Sequence, residues 1–276
     1  MNKIILLIHC KDKPNIIASV TNFIAHNEGN IVYIDQHVDR EQNIFFMRLE
    51  CEFQSDLFSL DDFKTLFNLT LVDKFQLKWR IYAADIKPKM ALFVSKYDHC
   101  LYDILGRYNS GELFLEIPFI LSNHLDLKPI AASFNIPFYH VPVTKETKNE
   151  AEQKQLELLE SHQVNFIVLA RYMQIVSETL INKFPNKIIN IHHSFLPAFV
   201  GAKPYHSAYK RGVKIIGATS HYINEELDAG PIIEQDVARV SHTHSIKDLI
   251  AKGRYLEKIV LYNAIKLHTN RKVMVY

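Results

Sequence analysis

The chain has 276 residues, 48% of them hydrophobic and 22% charged, a size and balance that suit one large or two unequal globular domains with real cores. Its 32 basic and 30 acidic side chains leave a formal charge of +2, too small for general attraction to nucleic acid or an anionic membrane, so neither is expected as a partner. Three cysteines, Cys10, Cys51 and Cys100, are odd in number and never in C-x-x-C spacing, which argues against a disulfide framework or a thiolate metal site. The opening apolar run is cut short by Lys11, Asp12 and Lys13, so it reads as a strand rather than a signal peptide, with the cytoplasm as the expected compartment.

In chain order, "IILLIHC" is a strand and "NIIASVTNFIAHNEG" a helix with Ile16, Ile17, Val20, Phe23 and Ile24 on one face and Gly29 closing it. Two strand-like runs, "NIVYIDQHV" and "NIFFMRLECEF", are joined by the polar "DREQ" as a hairpin. A helix through "LDDFKTLFNLT" and a strand "FQLKWRIYA" complete a βαββαβ order, the ferredoxin-like pattern. Residues 1–83 are therefore expected to form one domain, 84–89 ("ADIKPK") a linker and 90–276 a second domain.

From Met90 onward, apolar strands alternate with helices: "MALFVS", a helix from Asp98, "LFLEIPFILS", a helix from Leu125, "IPFYHVP", a charged helix through "KNEAEQKQLELLESH", "NFIVLA" and "KIINIHH". That succession predicts a Rossmann-like α/β domain with a mostly parallel sheet and crossover helices. "VKIIGATSHYI" and "PIIEQDVARV", linked by "NEELDAG", read as a hairpin, and a last amphipathic helix turns Leu249, Leu256, Ile259, Val260 and Ile265 toward the sheet. The turn after the first of these strands, "KYDHCLYD", has no glycine to let a pyrophosphate approach backbone N–H groups, which argues against NAD, FAD or ATP.

Chemistry concentrates in "NIHHSFLPAF", residues 190–199. In an extended strand Asn190 and His192 share one face and His193 the other, which also weakens a zinc reading because the two imidazoles point apart. An amide beside an imidazole suits a reaction that develops charge on a carbonyl oxygen. A carboxylate to orient the imidazole is missing locally; Asp228 in "NEELDAGP" is the informative candidate, though spacing alone does not join it to His192. Ser194 lacks the flanking glycines of a nucleophile elbow and reads as a hydroxyl capping the turn before Pro197. His242 and His244 read as solvated surface residues, and no metal is expected.

"IINIHHSFLPAFVGAKPYHSAY…GATSHYINEELDAGPIIEQDV" closely resembles the formyltransferase family that uses 10-formyltetrahydrofolate, with its Asn-x-His followed by a later Asp at Asn190, His192 and Asp228. "SKYDHCLYDIL", "LSNH", "LARYMQIVS" and "NIHHSFLPAF" resemble the deformylase branch of that family, and "IHCKDKPNIIASV" with "DQHVDREQNIFFMRLE" is similar to an ACT domain. The resemblance implies hydrolysis of 10-formyltetrahydrofolate to formate and tetrahydrofolate, supplying formate and balancing folate pools for purine synthesis. It implies no permanently bound cofactor, a homo-oligomer, and an amino-acid effector at the ACT domain. Asn15, standing where that family commonly has glycine, would hold the left-handed turn but could fill the effector site.

By the same resemblance Asn190 polarises the formyl oxygen, His192 assists and helps to carry protons to the folate nitrogen, and Asp228 positions both the water and His192. Tyr172, Met173, Gln174 and Val176 would line the folate slot. The sibling that formylates glycinamide ribonucleotide holds its phosphate on a glycine-containing loop, where this chain has bulky "SKYDHCLY". Lys96 and His99 could still bind an anion there, so an amine-acceptor transferase is the alternative. His193 is read as fixing the loop from the opposite face of the strand.

Overall fold

The first apolar run becomes β1 (Asn2–Lys11) in the computed structural model, which describes residues 2–54, 59–198 and 204–276. The chain divides into two units, Met1–Ile86 and Lys87–Tyr276, and the division falls inside the 84–89 segment.

In the first unit β1 is followed by α1 (Ile16–His26), β2 (Gly29–Asp39), β3 (Ile44–Phe53), α2 (Leu60–Phe67), a π-helical turn at Asn68–Val72, α3 (Asp73–Phe75) and β4 (Lys78–Ala83). The strands form an antiparallel sheet in the order β2-β3-β1-β4. Alternation along β1 and β3 turns Ile4, Leu6, Ile8, Met47 and Leu49 to the helix-covered face, where they pack with Val20, Ile24 and Phe67. Ile17, expected on the inner face of α1, is instead 41% exposed.

Gly29 does not close α1. The left-handed residue there is Glu28, at φ 58°, and Gly29 opens β2 because a Cβ would lie 2.6 Å from the Phe53 ring and 2.7 Å from Ile24. Before α1, Asn15 takes φ 71°, the left-handed turn expected of it, and its side chain makes no capping hydrogen bond.

The second unit runs β5 (Met90–Val94), α4 (His99–Asn109), β6 (Ile120–Ser122), α5 (Lys128–Ser133), β7 (Phe138–His140), α6 (Lys148–Ser161), β8 (Phe166–Ala170), α7 (Glu178–Lys183), β9 (Ile188–His192), α8 (Pro204–Arg211), β10 (Ile215–Tyr222), β11 (Ile232–Arg239) and α9 (Ile246–Thr269). The seven-stranded sheet has the order β11-β10-β9-β8-β5-β6-β7. Pairs from β7 across to β9 are parallel, while β10 is antiparallel to both β9 and β11. The run expected as a strand over 113–122 yields only three strand residues; Leu113, Leu115 and Ile117 are buried as packing side chains outside β6.

Strands β5 and β8 are buried along their whole length, which explains their uninterrupted apolar sequences. On α9, Leu249, Leu256, Val260 and Ile265 are buried as expected, but so is Glu257, whereas Ile259 is only half-buried. A capping box from Ser245 and Asp248 starts this helix. Chain direction across the sheet reverses between β5 and β8, so the loops after these two strands flank a crevice at their carboxyl ends, where ligands of open α/β sheets commonly bind. No helix among the described residues is long and apolar enough to cross a membrane.

Candidate active site

Asn190 and His192 lie on β9 two residues apart, and β10 runs antiparallel beside it in the register His221↔Asn190. The loop after β10 then returns Asp228 to the same place. Its Oδ2 is 3.2 Å from His192 Nδ1, and its Oδ1 is 3.6 Å from His221 Nε2. Asp228 adopts φ 57°, a left-handed conformation uncommon outside glycine, which aims its carboxylate at the two imidazoles. Gly230 fixes this loop, since a Cβ there would sit 1.8 Å from the Tyr222 carbonyl oxygen.

These contacts define proton positions. Hydrogen bonding from His192 holds the Asp228 carboxyl far below the ordinary carboxylate range despite partial burial. As an ionised acceptor it draws the His192 proton to Nδ1, leaving Nε2 buried and without a hydrogen-bond partner among the described residues. His221 Nδ1 lies 2.9 Å from the Tyr222 carbonyl, which can only accept, so Nδ1 carries the proton. Its Nε2 then accepts from Asn190 Nδ2 at 3.2 Å, fixing the amide with its second N–H available.

Asn190, His192 and Asp228 line one cavity of about 450 Å³. Its walls include Tyr172, Met173, Gln174 and Val176 from the loop after β8, and Ile223 to Leu227 from the loop after β10. All four residues expected at the folate slot therefore reach the cavity. Met173 is 53% exposed, as are Ile175 at 66% and Leu227 at 69%, a set of apolar side chains open at the cavity wall. Tyr172 is more deeply set: its hydroxyl accepts from Gln155 Nε2 at 3.1 Å, its ring meets Phe93 edge-on, and burial raises its pKa to about 12. Ser95 Oγ accepts from Met173 N at 3.0 Å and donates to the buried Asn123, tying the loop after β8 to the ends of β5 and β6.

Three expectations are corrected. Strand parity placed His193 on the face opposite His192, but β9 ends at His192 and both rings line the cavity with centroids 5.1 Å apart. Ser194 Oγ caps no turn; it is buried without a hydrogen-bond partner among the described residues, and it is the Ser194 carbonyl that accepts from Thr219 Oγ1. His99 offers a phosphate no Nε2, because that nitrogen is 2.8 Å from the buried carboxylate of Glu257; only its buried Nδ1 lacks a partner among the described residues, whereas Lys96 stays exposed. Residues 199–203 of the "SFLPAFVGAKPYH" motif lie outside the described residues.

Two contributors escaped sequence reasoning, His221 and Arg171. His221 stands in the quoted "GATSHYI", yet only the β9–β10 register shows that it faces Asn190. Among the described residues, His99, Cys100 and Glu257 bring possible metal-ligand atoms within 4.8 Å of one another, but His99 and Tyr205 already hydrogen-bond to Glu257 and burial drives the Cys100 thiol well up, away from the thiolate a metal needs.

Residues 88–265 match the formyl transferase family and residues 4–58 the ACT domain. Over 98% of its length the chain is 50% identical to a formyltetrahydrofolate deformylase of Synechocystis sp., of which it covers 95%. The chain belongs to the formyltetrahydrofolate deformylase family. A Bacillus subtilis deformylase is 42% identical over 98% of this chain and 90% of its own. The solved deformylase of Pseudomonas syringae pv. tomato superimposes with a TM-score of 0.96 at 45% identity, covering 100% of this chain and 92% of that one. Glycinamide ribonucleotide transformylase 1 of Geobacillus kaustophilus is more distant: 28% identical, TM-score 0.63, covering 67% of this chain and 100% of that one.

Proposed function

We propose that the chain hydrolyses 10-formyltetrahydrofolate to formate and tetrahydrofolate at the Asn190, His192 and Asp228 cluster. One observation carries the reading: the Asn190 and His192 side chains of β9 and the Asp228 carboxylate of the loop after β10 meet at one cavity, with His192 Nε2 lacking a hydrogen-bond partner among the described residues. The folate would lie against the apolar side chains of the loops after β8 and β10.

In the reaction, water adds to the formyl carbon and the carbonyl oxygen becomes an oxyanion. The second N–H of Asn190 donates to that oxygen, a contribution of about 3 kcal/mol for a well-aimed donor. His192 Nε2 takes the proton released by water and passes it to the folate nitrogen as the C–N bond breaks. Asp228 keeps the imidazole in the Nδ1–H form and stabilises the imidazolium between the two transfers. His221 acts on Asn190, holding its amide in the donating orientation.

The ACT-like unit supports a small-molecule effector, and we infer an amino acid. The uncapped side chain of Asn15 at its left-handed turn is a reporter for that site.

Purified protein given 10-formyltetrahydrofolate and no amine should release formate and tetrahydrofolate in equal amounts. Formyl transfer appearing only when an amine is added would reject the hydrolase in favour of a transferase.

A further inference from the structure

Over 67% of this chain the fold is shared with a glycinamide ribonucleotide transformylase, so the sheet and its family motifs do not by themselves select water as acceptor. Water and an amine follow the same course. Either adds to the formyl carbon, gives up a proton, and expels the folate nitrogen, which gains one. Selection must come from what can reach the carbon.

Arg171 follows the last residue of β8, at the crevice where the sheet order reverses, and it lines the same cavity as Asn190 and His192. Its backbone is at φ 63°, a left-handed conformation that an arginine adopts only when its surroundings impose it. The side chain is 10% exposed, and its guanidinium lies 4.9 Å from the centre of the Tyr97 ring, in the loop after β5. Behind it stands the buried carboxylate of Glu257, 3.5 Å from Arg171 Nε. Glu257 is itself held by His99 Nε2 and the Tyr205 hydroxyl, each at 2.8 Å. Gly253 makes room for that hydroxyl, since a Cβ there would lie 2.0 Å from it.

Contacts also run back to the reacting end. The His193 ring is 6.0 Å from Tyr205 and 5.1 Å from His192. Through Glu257 and Tyr205, Arg171 is linked to His193 and so to the reacting end, while the exposed apolar side chains of Met173, Ile175 and Leu227 offer themselves to the folate. A buried ion pair is a costly way to stabilise a domain and one of the better ways to hold a side chain in one place.

We propose that Arg171, braced on Tyr97 and Glu257, is the specificity-determining wall that closes the acceptor side of the cavity to anything larger than water. Glu257, His99 and Tyr205 are positioning residues for it. This rests on the hydrolytic reading above and deepens it.

The test measures how the formyl group is partitioned. Enzyme and 10-formyltetrahydrofolate are incubated with increasing glycinamide, a small primary amine, and formate and N-formylglycinamide are quantified by mass spectrometry against enzyme-free controls. In the formylated product a new C–N bond replaces the bond to the folate nitrogen, with one proton moving from amine to folate. The wild type should yield formate alone. Arg171→Gly, which suits φ 63° and opens the wall, should raise the amine-to-water ratio by about tenfold or more, the scale on which small changes in a pocket alter discrimination. Tyr97→Ala removes an exposed brace and should raise the ratio less; it decides the matter if Arg171→Gly does not fold. Folded variants that hydrolyse but never formylate glycinamide would overturn the wall and leave the hydrolase standing. Loss of hydrolysis in Arg171→Gly without amine product would also overturn it, making Arg171 a catalytic or binding group instead. Wild type that releases no formate without amine would overturn both readings.

Discussion

His192 and Asp228 stand thirty-six positions apart in sequence, yet Nδ1 of one lies 3.2 Å from Oδ2 of the other. This contact sets the tautomer of the imidazole and leaves its other nitrogen facing the cavity. Asp228→Asn should therefore lower kcat by about a hundredfold or more, since an amide can present N–H to Nδ1 and reverse the tautomer. Steady-state formate release measures it, and a kcat within a few-fold of wild type would remove Asp228 from the mechanism.

Asn190→Ala and His192→Ala should each reduce kcat by about a hundredfold or more, with a smaller effect on KM, because both groups act chiefly as charge develops. Circular dichroism of the variants separates this from misfolding. Unchanged turnover in either would exclude that side chain.

His221 is expected to work through Asn190, and a double-mutant cycle shows whether it does. His221→Ala should cost about tenfold in kcat in the wild type and nearly nothing in an Asn190→Ala background. Additive losses would assign His221 an independent role.

Folate contact by the apolar walls predicts a different kinetic signature. Ile175 and Leu227 are exposed at 66% and 69%, so replacing both with Asp should leave the fold intact. KM for the folate should rise by about tenfold with kcat much less affected, as for binding shared by ground and transition states. A normal KM would move the folate elsewhere.

Acid stability should depend on His268. Burial against Phe166 lowers its pKa to about 3, and its Nδ1 lies 2.7 Å from the Tyr222 hydroxyl. Because the folded pKa is depressed, the unfolded chain binds the proton first. The histidine's contribution is intact above the unfolded pKa of about 6.5 and declines as pH falls below that value toward the folded one. His268→Phe should thus flatten the fall of Tm between about pH 7 and pH 4. Parallel Tm curves for the two proteins would show that His268 does not titrate on unfolding.

How much was legible beforehand follows from the range of the physics involved. The hairpin of β2 and β3, the helix α6 and the antiparallel turn between β10 and β11 were readable because their patterns are local. Sequence periodicity failed at Ile17 and over 113–122, where apolar residues pack without joining a helix face or a strand as expected. His193 was misassigned because parity holds only while the strand lasts, and β9 stops one residue too soon.

The sequence by itself determined the order of a ferredoxin-like unit and an α/β unit, the pairing of Asn190 with His192 on one strand face, and the want of a glycine cradle after β5. Side-chain direction within an element is set by neighbouring backbone angles, so those features needed no long-range knowledge. Only the tertiary structure decided that His221 faces Asn190, that Asp228 returns to His192, and that Arg171 is braced by Glu257 from the last helix. Those meetings depend on the register between strands and on packing across the whole sheet, which no short stretch of chain encodes alone.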